Sequence, residues 1–240
     1  MQKEDWNGYE KMVFEVNGRE SLVVRPKTPA AGNPWVWRAE YFGAFDQVDR
    51  ALLDKGWHIG YHAVRNLYGA PVAIDSMKDY HDYVCKEFRL SRRASVFGFS
   101  VGGLYSFNYA HKYPDDVRSL YLDAPALSLT IFRRRDFWPA LCEAYAKTYP
   151  DAELGRQRVR QKLKLSPIDN ATAFVKTKIP IIMVVGLLDE AAVYAKNGEI
   201  FNARFEKAGG ELKLITKPDC GHHPHSLEDP APIVDWILAH

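Results

Sequence analysis

Three cysteines in 240 residues, Cys85, Cys142 and Cys220, are too few, too far apart and odd in number to build a disulfide framework. They form no CxxC pair, which removes the usual metal and redox motifs. No run of about 18 apolar residues occurs, so no segment is expected to span a membrane. Met1 to Glu10 is polar and lacks the apolar stretch of a signal peptide, which makes the cytoplasm the default expectation; a secreted chain with its signal removed would read the same way. Charge of one sign is also scarce. A net +2 gives no reason to expect nucleic acid or an anionic membrane as partner. Arg133-Arg134-Arg135 and the run from Arg156 to Lys164 are local exceptions, read as solvated helix faces rather than phosphate sites.

What is present is an ordinary globular composition, 47% hydrophobic and 26% charged, long enough to bury a full core. The whole chain, 1–240, reads as one domain. Short β-type runs alternate with amphipathic stretches. Lys11 to Val16 and Ser21 to Arg25 flank Asn17-Gly18, a hairpin signal. Further strands are expected at Trp35 to Ala39, His58 to Val64, Ala94 to Phe99, Val117 to Leu122, Ile179 to Val185 and Leu212 to Thr216. Helices are expected at Phe45 to Lys55, Asp75 to Phe88, Val101 to Tyr113, Ala195 to Ala208 and Pro232 to Ala239. This alternation predicts an α/β fold with a mostly parallel sheet and an antiparallel edge. The segment 126–173 breaks the rhythm: it offers helical pattern and charge but no strand, and reads as an insertion over the sheet.

Gly98-Phe99-Ser100-Val101-Gly102 is a G-x-S-x-G motif set where an apolar strand meets a helix. Tight turning at that point excludes side chains beside the serine, and the helix N-terminus behind it favours developing negative charge. A serine hydroxyl needs a base, and the base needs an orienting acid. Asp189 follows the apolar strand Ile181 to Val185, and Gly221-His222-His223-Pro224-His225 follows the next strand. Both therefore lie where the carboxyl ends of parallel strands gather catalytic groups. His222, next to Gly221, is the first candidate for the base, with His223 as its rival; His225 is better placed to line a pocket. Asp189 is the first candidate for the acid, with Asp123 and Asp219 behind it.

At these residues the chain resembles the α/β-hydrolase superfamily, through its GFSVGG elbow, GLLDEAAV acid loop and GHHPH histidine loop. The resemblance implies an eight-stranded sheet whose second strand is antiparallel, flanked by helices, with a small helical lid inserted at 126–173. It also implies acyl transfer to water through a Ser100–His222–Asp189 triad, without metal or organic cofactor. In place of the His-Gly that many members carry after the third strand, this chain has Trp37-Arg38-Ala39-Glu40-Tyr41-Phe42-Gly43. Backbone N–H groups need no particular side chain, so the oxyanion donors are assigned to Val101 and Glu40, with Ala39 next in line for the second. Trp37, Arg38, Tyr68, Trp138 and His225 are the candidates for binding substrate, joined by Tyr41 and Asn66 in the same loops. Phe132 and Phe137 either close over the substrate or pack the insertion. Aromatic faces with a few charged groups suit a polar ring such as an acylated sugar. The expected activity is that of a serine carboxylic-ester hydrolase on a small-molecule ester. Other acyl hydrolysis, acyl transfer, and ligand binding without catalysis on the same fold are the alternatives. Nothing in the sequence fixes an oligomeric state.

Overall fold

A computed structural model describes residues 1–132, 135–149 and 163–240. Its centre is a nine-stranded sheet: β1 (Gln2–Trp6), β2 (Tyr9–Val16), β3 (Arg19–Arg25), β4 (Trp35–Glu40), β5 (His58–His62), β6 (Ala94–Phe99), β7 (Val117–Asp123), β8 (Ile181–Gly186) and β9 (Leu212–Lys217). In space the order is β1-β2-β3-β5-β4-β6-β7-β8-β9. β3 is antiparallel to both neighbours, and the strands from β5 to β9 are parallel. The eight expected strands are all there. The ninth, β1, is an addition to that expectation: it pairs antiparallel with β2 across Asn7-Gly8, both at positive φ as a tight hairpin turn requires. It is mostly exposed, so no hydrophobic periodicity announced it.

The helices are α1 (Gln47–Asp54), α2 (Pro71–Glu87), α3 (Gly102–Lys112), α4 (Trp138–Ala146), α5 (Pro167–Phe174), α6 (Gly198–Lys207) and α7 (Ala231–Ala239). α2 begins earlier than its apolar spacing suggested because Pro71, with its fixed φ and missing N–H, suits the first turn. Strand pleating divides the core in two. Trp35, Trp37 and Ala39 of β4 join the layer with α2, α3 and α6, whereas Val36 joins the layer with α1 and α7. No described helix is long and apolar enough to cross a membrane.

Between β7 and β8 the described residues form short 3-10 turns, α4 and α5, and no strand. Arg133, Arg134 and residues 150–162, which hold most of the two basic clusters, lie outside the described residues. The side chain of Asn197 holds the start of this segment: it accepts from the Leu127 N–H at 2.7 Å and donates to the Pro125 carbonyl.

Candidate active site

β6 runs into α3 through Ser100, whose φ of +49° is a left-handed conformation that non-glycine residues rarely adopt. Its N–H is held by the Asp123 carbonyl at 3.0 Å, and its own carbonyl accepts from the Ala126 N–H at 2.7 Å, so neighbouring strand and loop enforce the turn. The glycine two residues later is required by contact. A Cβ on Gly102 would lie 2.7 Å from the Glu40 carbonyl oxygen at the end of β4. The serine is thus raised on a turn wedged between two parallel strands.

Opposite it, the loops after β8 and β9 are laced together. Leu188 N–H donates to the Cys220 carbonyl at 2.9 Å, and a Cβ on Gly186 would meet the Gly221 carbonyl at 2.2 Å. That approach brings Asp189 beneath His222. Ser100 Oγ lies 2.9 Å from His222 Nε2, and His222 Nδ1 lies 2.7 Å from Asp189 Oδ2. The other Asp189 oxygen accepts from the N–H groups of Ala191 and Ala192 at 2.7 and 2.8 Å. Burial pushes against the charge on Asp189, but the His222 hydrogen bond and these two amides outweigh it and hold the carboxyl below its ordinary range. Serine, imidazole and carboxylate form one unbroken chain of hydrogen bonds. The arrangement can deprotonate the hydroxyl while it attacks and can stabilise the imidazolium that results.

The chain opens into a cavity of about 440 Å³. It is lined by Ser100, Val101 and His222, by Glu40 at the end of β4, and by Tyr41, Arg65, Asn66 and Tyr68 from the loops after β4 and β5. Ile131, Phe132, Arg135 and Phe137 come from the segment after β7. Phe137 stacks on Tyr68 with centroids 5.4 Å apart. The Tyr105 hydroxyl accepts from the Leu67 and Tyr68 N–H groups and donates to the Val64 carbonyl, which fixes the loop carrying Arg65, Asn66 and Tyr68.

Four expected binding residues lie elsewhere. Trp37 is fully buried against Trp35, Tyr80 and Tyr109, because alternate β4 side chains face the α2–α3 layer. Arg38 faces the other layer, equally buried: it donates to the Tyr41 and Ala44 carbonyls, pairs with Asp49 at 3.5 Å and lies over the Phe99 ring. Trp138 packs on the core at the start of α4. His225 is buried, its Nδ1 2.8 Å from Asp123 Oδ1, with its ring against Phe45 and Phe99. Asp123 also accepts from Ser226 N–H and the Tyr121 hydroxyl, so this rival to Asp189 is committed to another histidine. His223 stacks on Phe45 and is exposed.

His222, His223 and His225 each place a ring nitrogen within 4.8 Å of the others. Both nitrogens of His222 and Nδ1 of His225 are already hydrogen-bonded, so a cation there would compete with the Ser100–His222 contact. Arg65, Tyr105 and Arg135 were not singled out as site residues from the sequence. Arg65 could have been found by following β5 beyond its C-terminal end, where loops of parallel sheets meet ligands.

Glu40, whose backbone closes β4, has a side chain in an unusual environment. It is 2% exposed, and neither carboxylate oxygen accepts a hydrogen bond from a described residue. Burial pushes its pKa up to about 7, against the pull of Arg65.

Residues 55–153 match the family model described as the alpha/beta hydrolase fold. Among solved structures, the chain is similar to an acylaminoacyl peptidase of Pyrococcus horikoshii, with TM-score 0.68, 16% identity, 89% of this chain and 38% of that one. It is similar to dipeptidyl peptidase 4 of Porphyromonas gingivalis, with TM-score 0.72, 12% identity, 98% of this chain and 36% of that one. An esterase variant aligns with TM-score 0.62 and 17% identity over 89% of this chain and 74% of its own. The chain thus spans well under half the length of the two peptidases. A comparison with curated proteins gave no match. The chain therefore has the α/β-hydrolase fold, with serine, aspartate and histidine in that order along it.

Proposed function

We propose that the protein is a serine hydrolase that cleaves carboxylic esters of small molecules through an acyl-enzyme. The observation that carries this reading is the hydrogen-bonded chain Ser100–His222–Asp189 at the floor of an open cavity. Ser100 attacks the ester carbonyl as His222 Nε2 takes its proton. Asp189 holds the ring so that Nδ1 carries the other hydrogen, and balances the imidazolium. The N–H of Val101, at the start of α3, and that of Glu40, at the end of β4, are assigned to the oxyanion. His222 returns the proton to the leaving alcohol. It then activates a water, which releases the acid and frees Ser100. The segment 126–173 acts as a lid in this scheme: Ile131, Phe132, Arg135 and Phe137 give it a face on the cavity.

The test is hydrolysis of short p-nitrophenyl esters beside a fluorophosphonate label located by peptide mass. Ester turnover with the label on Ser100, and loss of both in S100A with the fold intact by circular dichroism, is the expected result. Substantial turnover by S100A would remove the assignment. Faster cleavage of peptide anilides than of matched esters would move the reading to a peptidase.

A further inference from the structure

We infer that the substrate carries a carboxylate apart from its scissile ester, and that the guanidinium groups of Arg65 and Arg135 hold that carboxylate in the cavity; this rests on the ester-hydrolase reading above.

Charge in the cavity wall is one-sided. Two arginines line it, Arg65 from the loop after β5 and Arg135 from the segment after β7, and Glu40 is the single carboxylate among the lining residues. Glu40 does not balance them. Its oxygens are buried and bonded to neither arginine, and burial pushes its pKa up to about 7, so near neutral pH it carries only part of its charge. Asp189 is committed to His222 and to two amides of its own loop.

Arg65 is held in place without being used up. Its Nε donates to the Tyr61 hydroxyl at 3.1 Å, and Tyr61 is fully buried. Glu40 and Glu20 act on Arg65 only at longer range, behind that hydrogen bond. Among the described residues its Nη atoms have no acceptor, and the residue is exposed. A guanidinium anchored at Nε still presents its two Nη donors, whose planar spacing matches the two oxygens of a carboxylate. Arg135 is anchored through its backbone, its N–H donating to the Phe132 carbonyl at 2.9 Å, and its exposed side chain forms no ion pair among the described residues. A cation would be repelled by this lining, and a neutral ester would leave both guanidinium groups to water. A carboxylate meets both, and the concave wall concentrates their field on it. Val101, Ala126, Ile131, Phe132, Ala191 and Ala192 supply apolar surface for the hydrocarbon between ester and carboxylate. A volume of about 440 Å³ takes a short chain of that kind.

The experiment compares kcat/KM, read as acid release, within two isosteric pairs. Monomethyl adipate against methyl adipamate places the charge on the acyl side; 4-acetoxybutanoate against 4-acetoxybutanamide places it on the alcohol side. The wild type is expected to favour the carboxylate over the amide by at least tenfold in one pair. R65Q and R135Q should each lower that preference threefold or more, and the double variant should abolish it. No preference in either pair overturns the inference whether or not the variants fold, and so does an unchanged preference in the folded double variant. In both cases turnover of p-nitrophenyl acetate, with the fluorophosphonate label on Ser100, keeps the ester-hydrolase reading standing. Failure to turn over p-nitrophenyl acetate, with no label on Ser100, takes down that reading and this inference with it.

Discussion

Two imidazole–carboxylate pairs sit side by side at the carboxyl ends of the sheet, and only one faces the serine. His222–Asp189 and His225–Asp123 have nearly the same length, 2.7 and 2.8 Å between Nδ1 and carboxylate oxygen. Their side chains differ in access: the His222 side chain is 18% exposed and its Nε2 meets Ser100, whereas that of His225 is 3% exposed and its ring is enclosed by Phe45 and Phe99. The carboxylates differ as well. Asp189 receives two amides of its own loop, while Asp123 receives Ser226 N–H and the Tyr121 hydroxyl and so ties the histidine loop to β7. A histidine oriented by an aspartate is therefore not in itself the mark of a catalytic base. The mark is what the second ring nitrogen can reach.

Substitutions can break this contrast. D189N should cost the most: with the ring's tautomer no longer held, kcat for p-nitrophenyl acetate should fall by about 10³ to 10⁴ while the melting temperature changes little. D123A should do the opposite. Three buried donors lose their acceptor, at about 1–3 kcal/mol each when left unmatched, for a total of about 4 kcal/mol allowing for local relaxation. Thermal unfolding should then drop by about 10 °C for a chain of this size. Turnover per folded molecule should fall less than tenfold; a D123A that stays stable yet loses turnover as D189N does would transfer the catalytic role to Asp123.

A third carboxylate, Glu40, sharpens the comparison because neither of its oxygens accepts a hydrogen bond among the described residues. Its pKa of about 7 in the folded protein exceeds the ordinary 4.5, so between these values the folded state binds more protons than the unfolded one. Its effect is therefore to lower stability as pH rises from 4.5 to 7, with the full penalty present at pH 8. E40Q should be more stable than wild type at pH 8 by up to about 3 kcal/mol, and the difference should shrink towards zero near pH 4. Denaturant melts of both proteins at the two pH values measure it. The smallest effect belongs to His223, exposed and without a bond to Ser100. H223A should change turnover less than threefold and stability by less than about 0.5 kcal/mol.

The parallel strands and the helices between them were legible because their apolar residues repeat at the periods of buried strands and amphipathic helices. β1 was not, since an exposed edge strand has no buried face to create a period; only Asn7-Gly8 marked its turn. Ser100, Asp189 and His222 could be read from their places at strand ends. Trp37, Arg38 and His225 were misplaced for one reason: nearness in sequence to the site does not say towards which face a side chain points. In β4 the pleat sends Trp37 to one core layer and Arg38 to the other. Glu40 was legible as a backbone donor, but its unpartnered side chain depends on contacts that only the folded chain defines.

The close fit of Gly102 against the Glu40 carbonyl has a bearing on how such a protein can diversify. It gears the nucleophile and the buried acid into one part, so neither can shift without the other. The residues of 131–137 that form the facing wall come from a segment outside the sheet. Under the proposed function, new substrates would be accommodated by rebuilding that wall, with the Ser100–His222–Asp189 arrangement inherited unchanged.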